Sequence, residues 1–543
     1  MKYINYKLIL ILLVTGASIT SCESFLEEEN NSSLSVDNIK TDPTIFGQLV
    51  ASAYERSRET TTYYESNMYY SLEDIGTDIV TRGTAITGTN DLNDYVNLTP
   101  LNNVVRVYWK NQYSIIAAAN LVTEQELEDI EGLSDTDKNR GIAEAKFFRA
   151  WAYFKLVENY GGVPLILERA ITATRDYTRA TEEQVYTQIV QDLQDALAGV
   201  LETPTVFGRV SKDAVRHLTS KVLLTRGYKS FAAANDFTDA ATLAETVIAN
   251  HNLVPSFASL VSITNQRNSE VVFSYLFGSN SVSRGWGNSR HMLYQFRFFD
   301  YPGLTRTLKG LDPMPTPFYY SLYEDNDTRA EATFSREILA TVDYVGKNGA
   351  NVSAGERAIY FPKVAWTPAE IAAVPYVVFN PGTYFTNDGT TPVHYPQFIK
   401  FADPSIPFTQ PDQPSVGERD MVMMRAGEAY LIAAEAYFKS NNSIDAAARL
   451  TTLRSRAGLI TPVLPAEVNL DFILDERARE LAGEVNRWMD LKRTGKLIER
   501  VLLHNPHAEL NDALQAKHLL RPIPQTEIDN TGGSITQNPN YNN

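Results

Sequence analysis

Cysteine is almost absent from this 543-residue chain, which contains only Cys22. One cysteine excludes an intramolecular disulfide, so the fold must be held together by its core. Histidine is scarce too, with seven residues scattered along the sequence, and we therefore predict no metal site. No apolar run in the chain is long and uninterrupted enough to suggest a membrane-crossing helix.

Positive charge is in deficit. The chain carries 49 Lys and Arg against 65 Asp and Glu, a formal net charge of −16. This balance argues against a nucleic-acid partner and against wholesale adsorption to anionic lipid. The sequence also lacks a Gly-rich phosphate loop, a Gly-x-Ser-x-Gly elbow and a Ser/His/Asp arrangement. We therefore predict no cofactor and no catalytic residue, although carboxylates are numerous enough that counting them does not exclude a glycosidase pair.

The N-terminus has the features of an export signal. Lys2 and Lys7 make a basic start, and residues 8–14 form an apolar run too short to span a bilayer. Ile19-Thr-Ser-Cys22 follows with the pattern of a lipobox, which predicts a signal peptide over 1–21 and acylation of Cys22. The alternative is an ordinary secretory signal in which this cysteine lies by chance. Residues 22–40, rich in Glu, Asn and Ser, are expected to be an acidic, polar tether.

One helix organises the rest of the chain. Ser134 and Asp137 have the spacing of an N-terminal cap, and Gly161 with Gly162 ends the helix. Between them two apolar stripes follow helical spacing, and two stripes predict a helix packed on more than one side. A related phrase recurs at 425–438, so two distant segments are expected to build one helical stack. The stripes are Ala145, Phe148, Ala152 and Leu156, and Phe147, Trp151 and Phe154.

Between these segments the amino-acid composition and the periodicity change. Residues 252–417 contain 15 of the 25 prolines and little helical periodicity. Alternating stretches at 271–275 and 358–361 predict brief strands. Long irregular segments in compact proteins are usually functional or disordered, and the many aromatic residues favour function here. We predict a mainly α protein with one domain over 41–543, divided into a helical scaffold (41–251 and 418–500), a loop-rich insertion (252–417) and a C-terminal strap (501–543). Helices are expected at 41–60, 105–127, 137–160, 182–201, 212–232, 238–250, 418–439, 443–457, 467–482 and 485–499.

Several phrases in order resemble the SusD/RagB family of outer-membrane lipoproteins. They span almost the whole mature chain. The resemblance implies tetratricopeptide-like helix pairs with a loop-rich, minor-β insertion. It also implies a non-catalytic, surface-exposed lipoprotein that delivers oligosaccharides to a SusC-like TonB-dependent β-barrel transporter in the outer membrane. The phrases are Cys22-Glu-Ser-Phe-Leu26, Arg149 to Phe154 with Gly161 to Leu165, Arg425 to Phe438, Leu453 to Gly458, Asp475 to Leu481, Asn486 to Arg493, Pro522-Ile-Pro524 and Gln537 to Tyr541.

A carbohydrate site needs flat aromatic side chains for the apolar faces of sugar rings and polar side chains for the hydroxyls. Trp286 and Trp366 lie in the insertion, where no helix needs them for packing. The alternative is an aromatic core beneath a long loop. The resemblance implies only that ligand residues lie in these loops. The predicted ligand-binding residues are Trp286, Trp366, Tyr301, Phe298, Arg290 and Asn288, with Tyr69, Tyr70, Asp78 and Arg82 as a second wall.

Three other functions stay open from the sequence. The first is capture of peptides, as in RagB-like members of the family. The second is a glycoside hydrolase: Glu476, Glu480 and Glu484 share one helical face, but interleaved arginines favour helix-surface ion pairs over catalysis. The third is a tetratricopeptide adaptor that binds protein tails.

Overall fold

The computed structural model describes residues 40, 42–60, 72–83, 89–124, 130–169, 174–279, 285, 287–288, 290–292, 301–304, 313–386, 394–403, 417–484 and 486–541. Helices dominate and the strands are short, which confirms the predicted mainly α class. The α-helices of these residues are α1 (Pro43–Glu59), α2 (Thr89–Asp94), α3 (Asn103–Val122), α4 (Asp135–Tyr160), α5 (Glu182–Gly199), α6 (Lys212–Arg226), α7 (Asp236–Asn250), α8 (Phe257–Val261), α9 (Pro317–Ser321), α10 (Arg329–Thr333), α11 (Pro368–Ala373), α12 (Ala426–Lys439), α13 (Ser443–Arg456), α14 (Leu470–Leu481), α15 (Arg487–Arg493), α16 (Leu497–His504), α17 (Pro506–Asn511) and α18 (Gln525–Asn530).

The strands pair in small antiparallel sets, with one parallel exception. Strand β1 pairs with β3, β2 with β11, β4 with β10 and β6 with β7, while β8 lies between β5 and its parallel neighbour β9. The strands are β1 (Val80–Arg82), β2 (Val271–Tyr275), β3 (Pro313–Pro315), β4 (Phe334–Ser335), β5 (Glu337–Leu339), β6 (Tyr344–Val345), β7 (Asn351–Val352), β8 (Arg357–Tyr360), β9 (Val377–Val378), β10 (Gln397–Phe398) and β11 (Met421–Arg425).

Helix α4 is the packed helix that its two stripes predict. The Ser134 hydroxyl accepts a hydrogen bond from the backbone N–H of Asp137 at 3.1 Å, capping the N-terminus. Gly161 ends the helix with φ 73°, a conformation that favours glycine. The helix packs against α1, α3 and α5, and Phe147 contacts the ring of Phe273 in β2. Both predicted ends are therefore confirmed.

The helices before and after the insertion form one stack. Helix α7 packs on α6 and also on α12, which in turn packs on α13 and α14. Small residues allow the close approach at α12, where Ala433, Ala434 and Ala436 are fully buried. The stack predicted from the phrase at 425–438 is confirmed.

The helices expected over 105–127 and 212–232 end earlier, at Val122 and Arg226, and the predictions at 418–439 and 485–499 were wrong in part. Residues 421–425 form strand β11, not the start of a helix, because the backbone of buried strand β2 requires a hydrogen-bonding partner. The helix expected over 485–499 is two helices, α15 and α16. Gly495 lies between them with φ 72°, which interrupts the helical backbone.

The insertion has a small core of its own around β5, β8 and β9. The C-terminal segment lies on α4: Arg521 donates its backbone N–H to Asn159 O at 2.6 Å, and the Asn538 amide donates to Tyr160 O at 3.0 Å. Gly162, just after α4, packs so closely against the residues before α5 that an added Cβ would lie 2.1 Å from Ala180 O. The insertion core consists of Leu304, Met314, Ile338, Ala340, Ala358, Ile359, Phe361, Tyr384 and Tyr395.

Candidate functional site

Strand β8 separates the insertion core from a partly exposed aromatic surface. Ile359 and Phe361 are fully buried in the core, whereas Tyr360 between them is half-buried. The ring of Trp366 lies 5.3 Å from that of Tyr360, at an interplanar angle of 51°. Tyr376 lies 6.4 Å from Tyr360, at 80°. We call Tyr360, Trp366 and Tyr376 the aromatic face.

Trp366 is fixed by its backbone. Its N–H donates to Asn380 Oδ1 at 2.8 Å, and Asn380 Nδ2 donates back to the Trp366 carbonyl at 2.8 Å. The next residue, Thr367, caps α11 in a capping box with Glu370. Both constraints fix the backbone at Trp366 before any ligand arrives, so less backbone conformational entropy is lost on binding.

Arg357 adds a polar group to the aromatic face. Its Cζ lies 4.3 Å from the ring centroid of Tyr360 and 5.2 Å from that of Tyr376. Its Nε and Nη2 donate to Glu337 Oε2 at 2.9 and 2.7 Å. Burial disfavours the charge, but the hydrogen bonds that Arg357 donates to Glu337 and Tyr376 raise its pKa. The face thus combines flat rings with charged hydrogen-bonding groups, the combination that a sugar ring requires.

Tyr301 lies on the other side of this sheet. Its hydroxyl is 2.6 Å from His394 Nε2, and its ring contacts Phe379 edge-on at 5.6 Å. The His394 ring stacks on Phe379 at 4.0 Å. Burial lowers the pKa of His394, which favours the neutral imidazole at pH 7. Tyr301 is half-buried against the insertion core, which is the packing role that the sequence left open beside binding.

The second predicted wall is brought to the insertion by β1 and β3. Arg82 in β1 faces Pro313 in the register of this pair. Its Nε donates to Asp94 Oδ1 at 2.9 Å, with about a fifth of the Arg82 side chain exposed. Arg82 therefore lies beside the insertion with part of its side chain at the surface, and its place in a ligand-binding wall stays a prediction.

Asp78 has a different role from the one expected. Its carboxylate is fully buried and accepts hydrogen bonds from Arg487 at 2.6 Å and Arg500 at 2.8 Å. Although burial disfavours its charge, these two arginines hold the pKa of Asp78 at about 2. A carboxylate enclosed by two arginines cannot reach a ligand, so the prediction of a ligand contact at Asp78 is corrected to a structural ion pair.

Asn288 and Arg290 are also directed into the protein. Asn288 Nδ2 donates to the Arg419 carbonyl at 2.8 Å, and Asn288 Oδ1 accepts from the Arg290 backbone N–H at 2.9 Å. The Arg290 guanidinium lies 4.7 Å from the ring centroid of Phe401. Both side chains are at least 97% buried. They hold this part of the insertion together, and we do not carry them into the proposed site.

The remaining predicted residues lie outside the described part of the chain. They stay predictions without a structural account: Cys22, Tyr69, Tyr70, Trp286 and Phe298.

Sequence reasoning missed most of the aromatic face. Tyr360 stood in the predicted strand at 358–361, and strict alternation there would have placed Phe361 and Tyr360 on opposite sides. Tyr376, Arg357 and Asn380 carried no pattern of their own. Their positions depend on the pairing of β8 with β5 and β9, which the sequence does not specify.

The glutamates on α14 and beyond it, Glu476, Glu480 and Glu484, form ion pairs with buried arginines. Glu480 is fully buried and is contacted by Arg329, Arg425 and Arg456. Burial disfavours its charge, yet these arginines hold the pKa of Glu480 well below its usual range. A general acid requires a raised pKa and access to substrate. The structural interpretation is confirmed, but the ion pairs are interior and not on the helix surface.

Neither a metal-binding cluster nor a membrane-spanning helix is present in the described residues. No group of three or more His, Cys, Asp or Glu side chains in them is arranged to hold a metal ion. No helix among them combines the length and the apolar character that crossing a bilayer requires.

Comparison with protein families gives two matches. A model described as the SusD family matches residues 264–541. A second, described as "starch-binding associating with outer membrane", matches residues 24–224. Together they cover most of the scaffold, the insertion from residue 264 and the C-terminal segment.

Relatives and solved structures agree with these matches. A SusD-like protein of Formosa agariphila is 22% identical, over 92% of this chain and 93% of its own. The starch-binding protein SusD of Bacteroides thetaiotaomicron is 24% identical, over 76% and 75%. A laminarin-binding SusD-like protein has a TM-score of 0.67 at 24% identity, covering 92% of this chain and all of its own. Surface glycan-binding protein A of Bacteroides thetaiotaomicron has a TM-score of 0.69 at 20% identity, covering 92% of this chain and 99% of its own. The two structures share the fold of this chain.

Proposed function

Because this chain belongs to the SusD family, we propose that it is a non-catalytic protein that binds oligosaccharides at the aromatic face of its insertion. The observation that carries the proposal is the half-buried Trp366 beside Tyr360 and Tyr376, held by Asn380 and flanked by Arg357. The indole supplies a stacking surface for an apolar sugar face, and Arg357 with Glu337 supplies groups for hydroxyls.

Two considerations favour glycan over peptide. A peptide-binding groove would offer backbone hydrogen bonds along an open strand edge. Here the partly exposed feature is a set of rings with a charged pair, and β8 is covered on both edges by β5 and β9. The starch-binding, laminarin-binding and glycan-binding descriptions of the relatives support the same choice.

The place of action follows from the family and the N-terminal sequence. We propose that residues 1–21 are removed, that Cys22 is acylated and that the protein is held on the outer membrane, exposed at the cell surface. There it would deliver its oligosaccharide to a SusC-like TonB-dependent transporter. The family match described as associating with the outer membrane supports this location. Labelling with radioactive palmitate, compared with Cys22→Ala, tests the anchor directly.

Affinity electrophoresis in gels that contain different polysaccharides tests the binding site. Trp366→Ala should weaken binding to a retarding glycan by about tenfold, since a lost stacking contact costs about 1 kcal/mol or more. Trp286→Ala tests the second predicted tryptophan in the same gels. Tyr437→Ala, which removes a half-buried ring on scaffold helix α12, is the matched control and should bind normally.

Each outcome has a clear reading. Unchanged glycan binding by Trp366→Ala would remove the aromatic face from the proposal. Release of reducing sugar by the purified protein would identify a hydrolase. Retardation by no polysaccharide, together with binding to a peptide mixture, would favour the RagB-like alternative.

A further inference from the structure

The scaffold contains a cavity far in sequence from the insertion. It lies between the N-terminal half of α4 and the loop that joins α5 to α6, and its volume is about 200 Å³. Its lining combines two guanidinium groups and a carboxylate with an apolar wall. The lining residues are Arg140, Glu144, Leu201, Pro204, Thr205, Val206, Arg209 and Val210.

The loop that walls the cavity is anchored at both ends. The backbone N–H of Lys212 donates to Leu201 O at 2.9 Å, and that of Val210 donates to the Tyr54 hydroxyl at 2.9 Å. Within the loop, Arg209 N–H donates to Val206 O at 3.3 Å. Its acidic residue, Glu202, is directed to Arg216 and Lys212 on α6. The cavity wall is therefore fixed, and the carboxylate of this loop forms ion pairs with residues of α6.

The cavity is lined by two arginines and one glutamate, although the chain as a whole is strongly negative. Arg209 Nη2 lies 2.6 Å from Glu144 Oε2, so these two charges neutralise each other. Arg140 is left, and among the described residues its side-chain hydrogen bonds go to Asp137 alone. Asp137 is half exposed and also accepts from Ser134 at 2.7 Å. A guanidinium has five N–H donors, so Arg140 keeps donors for an anion that enters the cavity.

We propose that this cavity binds a hexuronic acid, with the sugar carboxylate on Arg140 and the apolar ring face against Leu201 and Val206. Both apolar residues are exposed to solvent, at 39% and 61%, and a sugar ring would cover them. The requirement for a carboxylate rests on the cavity. The choice of a sugar acid rests on the proposed glycan-binding function. The site is separate from the aromatic face.

Isothermal titration calorimetry of the purified protein with sodium glucuronate, glucose and sodium acetate tests this site. Glucuronate should bind, and Arg140→Ala should weaken its binding by about tenfold or more, because the substitution removes a charge-assisted hydrogen bond to the sugar carboxylate. Arg449→Ala is the matched control. Arg449 is 33% exposed and paired with Glu245, while Arg140 is 30% exposed and paired with Asp137. The control should bind glucuronate normally.

The results separate this site from the proposed function. Absence of glucuronate binding, or equal binding by Arg140→Ala and the unmodified protein, overturns the cavity site and leaves polysaccharide binding through Trp366 standing. Equal affinity for acetate and glucuronate overturns the sugar acid as ligand. Equal affinity for glucose and glucuronate overturns the role of the carboxylate. Loss of glucuronate binding in Trp366→Ala overturns the separation of the two sites.

Discussion

Glu480→Gln tests whether the buried ion pairs hold the scaffold and insertion together. Glu480 Oε1 accepts from Arg425 at 2.7 Å and also from Arg456, and Glu480 Oε2 accepts from Arg329 at 3.1 Å. Glu480 and Arg329 have no exposed side-chain surface, and the other two arginines are at most 4% exposed. The substitution keeps the size of the side chain and removes its charge, and it turns one acceptor into an N–H₂ group that faces guanidinium donors.

The expected loss of unfolding free energy in Glu480→Gln is the balance of opposing contributions. At an effective dielectric constant of 20, one pair at about 4 Å gains about 4 kcal/mol, so three pairs gain about 12 kcal/mol before other costs. The neutral amide avoids several kcal/mol of carboxylate desolvation. Each arginine also keeps another carboxylate: Glu476 for Arg329, and Glu270 for Arg425 and Arg456. The net loss expected is about 3–5 kcal/mol, the usual cost of breaking a buried pair.

Urea denaturation followed by circular dichroism measures this loss. Glu499→Gln is the control, because Glu499 pairs with Lys496 at 3.0 Å but its side chain is 64% exposed. Exposed pairs contribute about 0–1 kcal/mol, so the control should unfold almost like the unmodified protein. If Glu480→Gln and Glu499→Gln lower the free energy of unfolding equally, within about 1 kcal/mol, the reasoning about the buried pairs is refuted.

Acid should unfold the protein cooperatively below about pH 4.5. Burial disfavours the charge of Glu476, Glu484 and Asp490, but adjacent cations hold their pKa values at about 2. The unfolded chain binds more protons between about pH 4.5 and 2, so stability falls as pH falls, by roughly 2–3 kcal/mol per carboxylate. A melting temperature that is constant from pH 6 to 3 would contradict this. Gly162→Ala should destabilise the protein by about 1–3 kcal/mol because the added Cβ would meet Ala180 O. Gly47 lies inside α1, and a Cβ added there would have no neighbouring atom within 4 Å. Gly47→Ala should therefore stabilise the protein by up to about 1 kcal/mol. Equal melting temperatures for the two alanine variants would count against the close approach.

The sequence predicted local features well because their causes are local. The ends of α4 follow from Ser134 and Gly161, and its burial on several sides follows from stripes visible in one stretch of chain. The start of the helix at 418–439 was wrong because strand β11 exists only through its pairing with β2, about 150 residues earlier. Asp78 could not be identified as an ion-pair partner for a similar reason, since Arg487 lies 409 positions away. Periodicity reports which face of an element is buried and not which element covers it.

This distinction also explains why sequence patterns did not predict the orientation of the aromatic face. Arg329 and Asp327 belong to the insertion, yet Arg329 donates to Glu476 of the scaffold at 2.6 Å with both side chains fully buried. Removing either partner would leave an unpaired buried charge, so the insertion is fixed to the helical stack through a contact that spans 147 positions. That contact fixes α10, and the strands that follow α10 include β8, which carries part of the aromatic face. A tryptophan in a proline-rich segment therefore predicted a binding surface without its location in the fold. Asn380, the capping box at Thr367 and the pairing of β8 fix the backbone around Trp366, and the long-range ion pairs fix the insertion that carries these elements.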